Sequence, residues 1–138
     1  MNAEQKTVTI GDVAIGGGGP LSLIAGPCQL EGLDHALMIA SAMAKATAAA
    51  GVGYIFKASY DKANRSSRSS FRGPGIEAGL KVLEDVRAKF GVPVLTDVHE
   101  DTPLSEVAAV VDVLQTPAFL CRQTNFIVAA ASQGKPVN

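Results

Sequence analysis

The chain has 138 residues, 47% of them hydrophobic, and its twelve Lys and Arg against thirteen Asp and Glu leave a formal net charge of −1. That is apolar material enough for one domain with a real core, and the near-neutral balance argues against nucleic acid or an anionic membrane surface as partner. No run of ~18 apolar residues offers a membrane span and the N-terminus lacks a charged-then-apolar signal pattern, so a cytoplasmic protein is expected.

In chain order, Thr7-Val8-Thr9-Ile10 and Val13-Ala14-Ile15 flank Gly11-Asp12, which predicts a small hairpin over 7–15. The run Gly16 to Gly19 reads as a flexible linker, because no Lys-Ser/Thr pair follows it and a strand comes next instead of a helix. Leu21 to Ala25 is an apolar strand ending in Gly26-Pro27-Cys28, and Leu33 to Ala50 is an Ala-rich helix. Tyr54 to Phe56 opens a second strand. After a polar loop, Ile76 to Phe90 reads as an amphipathic helix closed by Gly91, and Val92 to Leu95 as a third strand running into Thr96-Asp97-Val98-His99-Glu100. Thr102 is the expected cap of a short helix with Pro103 in its first turn. Val110 to Leu114 is a fourth strand ending in Gln115, and Arg122 to Gln133 a fourth helix closed by Gly134.

Strands that are apolar without alternation are buried on both faces, which predicts a parallel sheet covered by helices. A dinucleotide fold wants G-x-G-x-x-G after its first strand, and G-P-C-Q-L-E stands there. All four strands instead finish in reactive polar side chains: Cys28, Lys57, the pair Asp97 and His99, and Gln115. A (β/α)8 TIM barrel gathers its site from strand ends in this way. Such a barrel needs about 250 residues, so residues 1–138 are expected to form the N-terminal half of a single barrel domain. That half holds the hairpin over 7–15 and about four β/α units over 21–138, with a fifth strand beginning at Lys135-Pro136-Val137-Asn138. Open parallel edges predict a chain that associates when alone.

The densest chemistry lies in YIFKASYDKANRSSRSSFRGPG, from Tyr54 to Gly75. Lys57, Lys62, Arg65, Arg68 and Arg72, five of the twelve cations, stand there against the single acid Asp61. Such crowding costs self-repulsion and is relieved when anions arrive. Arg grips phosphate or carboxylate through a planar fork, Lys supplies a point charge and Ser66 and Ser67 supply hydroxyls, a mix suited to a small ligand with several negative oxygens. Asp97 and His99, two apart on a strand, project to one face. The spacing allows either a metal pair with Cys28 or a base with its orienting carboxylate. Cys28 reads either as a small core residue or as a thiolate ligand for a divalent ion. Cys28 and Cys121 read as reduced thiols, and His35 as a surface residue of the first helix.

The string K-A-S-Y-D-K-A-N-R-S-S, followed by F-R-G-P-G, closely resembles the signature of the 3-deoxy-D-manno-octulosonate 8-phosphate synthase family. Its members condense phosphoenolpyruvate with D-arabinose 5-phosphate and water in lipopolysaccharide biosynthesis. The related DAHP synthases carry a K-P-R-T-S type string here. The resemblance implies that Lys62 meets phosphoenolpyruvate with Lys57 beside it, and that Asn64 faces the sugar hydroxyls while Arg65 and Ser66 face the sugar phosphate. It also implies that Gln115 and Ala118 line the phosphoenolpyruvate pocket and that Arg122 reaches a neighbouring subunit's site in a homo-oligomer. Asp97 and His99 become catalytic-site and positioning residues. Cys28 matches the metal-dependent branch, where metal-independent members have Asn, and its companion His, Glu and Asp ligands fall beyond residue 138. The alternatives are a non-catalytic fragment that binds phosphate or a partner chain, and a DAHP-synthase-like enzyme.

Overall fold

The computed structural model describes residues 5–138. Strands β1 (Thr7–Ile10) and β2 (Val13–Gly16) pair antiparallel with Ile10 opposite Val13, so the expected hairpin forms. The glycine run behind it is a defined turn and not a slack linker. Gly16, Gly17 and Gly18 all adopt positive φ, which side chains resist, and the Gly19 N–H closes on the Gly16 carbonyl at 3.1 Å.

Four strands then form one parallel sheet in simple chain order: β3 (Ser22–Ala25), β4 (Gly53–Lys57), β5 (Val94–Asp97) and β6 (Val113–Gln115). Helices α1 (Leu33–Ala50), α2 (Ile76–Phe90) and α3 (Leu104–Val110) connect them, and α4 (Thr124–Ala131) follows β6. Alanine is the best helix former, and the buried Ala36 and Ala40 let α1 lie close to the sheet. Gly51 and Gly91 stop α1 and α2 in the left-handed conformation, and Arg87 and Lys89 in the last turn of α2 complement its dipole.

Two expectations of detail fail for physical reasons. Val110 ends α3 instead of opening β6, because the run V-A-A-V-V before Asp112 is apolar throughout and its helical part already buries Val107 and Ala108. Thr102 does not cap α3. Pro103 occupies that position, while the Thr102 hydroxyl accepts the His99 N–H at 2.8 Å.

Side chains alternate along each strand, and the two faces acquire different covers. Tyr54 and Phe56 of β4 join Val94 and Leu114 beneath buried residues of α1, α2 and α3, so these helices pack on one face. Ile55, Leu95 and Val113 point the other way and are closed by Ile10 and Val13 of the hairpin. A side chain at Gly53 would come within 3.0 Å of Val13, and one at Gly11 within 3.1 Å of Pro93. The hairpin therefore seals the amino ends of β4 and β5 and leaves the carboxyl ends free. The β3 edge is open, with Leu21 85% exposed. At the other edge Val137 has begun to pair with Leu114 in parallel, through Leu114 N–H to the Pro136 carbonyl and Asn138 N–H to the Leu114 carbonyl. Among the described residues no helix is long and apolar enough to cross a membrane.

Tyr60, just past β4, packs flat on α2 at Gly79, where an added Cβ would stand 2.2 Å from the Tyr60 Cβ. Gly→Ala in a helix ordinarily stabilises by about 1 kcal/mol. Here overpacking, worth about 1–3 kcal/mol, wins. Gly79→Ala is therefore expected to lower unfolding free energy in a denaturant titration, and a gain in stability would contradict this packing.

Candidate active site

The polar cluster sits where the register delivers it, at the carboxyl ends of the strands. Lys57 pairs with Leu95 and Asp97 with Gln115, so two further residues along β4 bring Ser59 level with Asp97. The Ser59 hydroxyl donates to Asp97 Oδ1, and Gln29 bridges to Ser59 from the far side. Ser59, Asp97 and Gln115 thus form one row across three strands, with Lys57 one step nearer the core.

Asp97 is 6% exposed, and His99 Nε2 lies 3.3 Å from its Oδ2. Burial pushes the Asp97 carboxyl up, but bonds from His99 and Ser59 and the charges of Lys57 and Lys62 outweigh burial and hold it below the usual carboxylate range. The Lys57 ammonium is lowered too, but here burial is the main cause. Partial burial lowers its ammonium first and Lys62 lowers it further, against the opposing pull of Asp97 and Cys28. His99 is itself buried and stacks on Phe119, with ring centroids 6.2 Å apart at 14°. Its backbone N–H is held by Thr102, whose hydroxyl also meets the Tyr60 phenol at 3.1 Å.

The basic loop leaves β4 directly after this row. Lys62 is half-buried at its start, and Asn64, Arg65, Ser66 and Arg68 are exposed along it. Arg65 Nη2 donates to the buried Gln29 Oε1. Arg72 does not stand free for an anion: it forks onto Asp61 at 2.8 and 2.6 Å. Among the described residues Lys57, Lys62 and Arg68 have no carboxylate in ion-pair contact. Gln115 Oε1 accepts from Asn138 Nδ2 at 2.8 Å, Ala118 opens an exposed turn of 3₁₀ helix, and Arg122 is exposed just beyond it.

Of the residues singled out in the sequence, Lys57, Asp97, His99 and Gln115 converge on the sheet's carboxyl edge. Cys28 lies at the same rim as an exposed free thiol close enough to bias Lys57. Cys28, Asp97 and His99 do not close into a three-donor metal site: no three His, Cys, Asp or Glu of the described residues come together to hold an ion. Cys121 is also a free, exposed thiol. His35 lies on α1 at the surface as expected, its side chain 32% exposed, with only its Nδ1 shielded, 4.0 Å from Glu31. Ser59, Gln29 and Phe119 are additional members of the cluster. Ser59 was visible in K-A-S, two residues past Lys57 and hence on its face, whereas Gln29 and Phe119 depend on contacts between distant segments.

Comparison with known proteins follows the same lines. A family described as the DAHP synthetase I family matches residues 1–138. The chain is 67% identical over 119 residues to a 2-dehydro-3-deoxyphosphooctonate aldolase of Alkalilimnicola ehrlichii, covering 86% of this chain and 43% of the relative. It is 64% identical over 119 residues to the protein of the same name from Methylococcus capsulatus, with 86% and 42% covered. A third relative so named, from Magnetococcus marinus, is 58% identical over 133 residues, 96% of this chain and 46% of the relative. The chain spans less than half the length of these curated relatives. With the match running from the hairpin through the basic loop to the last strand, the chain belongs to the DAHP synthetase I family.

Proposed function

We propose that this chain forms the front half of a (β/α)8 barrel and carries substrate-binding groups of an octulosonate 8-phosphate synthase. The reaction condenses phosphoenolpyruvate with D-arabinose 5-phosphate and water to 3-deoxy-D-manno-octulosonate 8-phosphate and inorganic phosphate, a step of lipopolysaccharide biosynthesis. Two features of the fold favour the barrel: the strand order never reverses, and the connecting helices lie on one face while the hairpin covers the other. A doubly wound sheet would carry helices on both faces. The observation that carries the function is the basic loop emerging beside Ser59, Asp97 and Gln115, in a chain 67% identical to a protein named for this product.

In this reading Lys57 and Lys62 seat phosphoenolpyruvate, and Gln115 and Ala118 wall its pocket. Asn64 takes the sugar hydroxyls, and Arg65 and Ser66 take the sugar phosphate. Arg122 reaches the site of a neighbouring copy in a homo-oligomer. Carbon 3 of phosphoenolpyruvate attacks the aldehyde carbon, the aldehyde oxygen gains a proton, water adds its oxygen at carbon 2, and the phosphate leaves. Holding two anions side by side is costly in water, and fixed cations at the strand ends offset their repulsion without reorganising. Asp97, ionised throughout the neutral range, orients His99 and keeps the cation cluster near balance. Cys28 is one donor without companions among the described residues, so those residues do not fit a divalent ion unaided. We assign Cys28 as a single thiolate of a metal set completed elsewhere. The enzyme so read is cytoplasmic, in keeping with its free thiols.

A second reading has the chain bind phosphate or a partner without turnover, since the relatives are about twice as long. Phosphate release from phosphoenolpyruvate and arabinose 5-phosphate, with and without added divalent metal, separates the two. Release supports the synthase, and none under any condition supports the binding fragment. Release only when erythrose 4-phosphate replaces the pentose would indicate a DAHP-synthase-like reaction.

Three outcomes are expected besides. Charge-assisted hydrogen bonds are worth about 1.5–3 kcal/mol, so Lys62→Ala is expected to weaken phosphoenolpyruvate binding about tenfold or more by calorimetry, and Arg65→Ala that of arabinose 5-phosphate. Unchanged affinities would remove both assignments. Because the folded Asp97 carboxyl lies below its unfolded value, its stabilisation is present above the ordinary carboxylate pKa of about 4 and is lost as pH falls below it. Acid titration of stability should therefore fall less steeply in Asp97→Asn than in the native chain, and identical acid limbs would contradict this. Finally, the open β3 edge should make the chain self-associate in sedimentation experiments, against which a monodisperse, cooperatively unfolding monomer would count.

A further inference from the structure

We propose that Asp61 and Arg72 form a clasp that closes the base of the loop 62–71, so that Arg72 positions the anion-binding cations and is not one of them. Four observations meet at this point. Arg72 Nε and Nη2 fork onto the two oxygens of Asp61 at 2.8 and 2.6 Å. The Lys62 N–H donates to the Arg72 carbonyl at 2.7 Å, so the backbone closes beside the ion pair. Gly73, at φ 132, lays its backbone against the Tyr60 carbonyl, where an added Cβ would stand 2.1 Å from that oxygen. Tyr60 is 4% exposed and is pinned to the Thr102 hydroxyl, which also holds His99.

The physical need for such a device follows from the charges. Lys62, Arg65 and Arg68 repel one another, and closing a flexible loop has an entropic cost that binding must otherwise meet. An isolated ion pair at a surface contributes little. A forked pair beside a backbone hydrogen bond and a buried anchor has lost much of its freedom already, so it can hold the loop in its binding shape before any ligand arrives. The clasp also places the loop relative to the Asp97 row, because Tyr60 and His99 share Thr102. The inference rests on the proposed function only for what the loop binds. The clasp itself is read from the geometry.

The decisive variant is Asp61→Asn. Removing an acid from a basic loop should strengthen anion binding if only net charge matters, whereas loss of the clasp should weaken it. We expect calorimetry with inorganic phosphate to show about tenfold weaker binding in Asp61→Asn and in Arg72→Gln, with affinity recovered in the charge-swapped Asp61→Arg/Arg72→Asp. Hydrogen exchange at the Lys62 amide should accelerate in both single variants and slow again in the swap. Arg72→Lys keeps the charge but loses the fork, and its Lys62 amide should exchange nearly as fast as in Arg72→Gln. Equal or tighter phosphate binding by Asp61→Asn overturns the clasp, as does a Lys62 amide indifferent to all four variants. If the unaltered chain binds no phosphate, the proposed function fails. The exchange pattern alone then decides for or against the clasp.

Discussion

A carboxylate buried where three strands end sets the terms for everything around it. Asp97 is nearly inaccessible, and an isolated carboxylate so placed would cost several kcal/mol. It is tolerated because Ser59 reaches it from β4, His99 folds back on it from its own strand end, and Lys57 and Lys62 supply charge. Each of those partners is thereby fixed in turn. The row from Gln29 through Ser59 and Asp97 to Gln115 is consequently both a structural tie across the sheet and the floor of the candidate site.

The same arrangement explains why the amino ends of the strands look so different. There the hairpin packs Ile10 and Val13 onto Ile55, Leu95 and Val113, making a dry layer beneath the polar one. Water excluded from below strengthens the electrostatics above. Lys57 stands one step nearer the core than Asp97, and its burial lowers its ammonium pKa. An anion arriving there would relieve that burden, in keeping with the function proposed above. An apolar concavity of about 330 Å³ lies elsewhere, on the β3 edge between Leu21, Met43 and Val52. It lacks the polar groups that an anionic ligand needs.

Much of this was legible in the residues. The alternation of strand and helix, the hairpin, the extents of α1 and α2 and the polar strand endings all follow from local pattern, and the structure reproduces them. The string around Lys62 pointed to a family that matches the whole chain. What local pattern could not supply was partnership across distance. Arg72 counted as one more cation until Asp61 was seen to hold it, and Thr102 resembled a helix cap until its hydroxyl was seen to serve His99. The glycine run looked slack because composition does not show that three successive positive φ values make a turn. Val110 was misread because an unbroken apolar run carries no period to mark where helix gives way to strand. Roles for Asn64, Ser66, Ala118 and Arg122 rest on the resemblance alone, as their exposed positions impose no geometry of their own.

Under the proposed function the strand ends and the basic loop together make one seat for phosphorylated anions. Amide chemical-shift mapping of the labelled chain during titration with phosphoenolpyruvate tests it most directly. The expected result is a saturable set of shifts confined to Lys57, Ser59, Lys62, Asp97 and Gln115 and their neighbours. Shifts scattered over the outward cations Lys45, Lys81 and Lys89, or none at the strand ends, would contradict it.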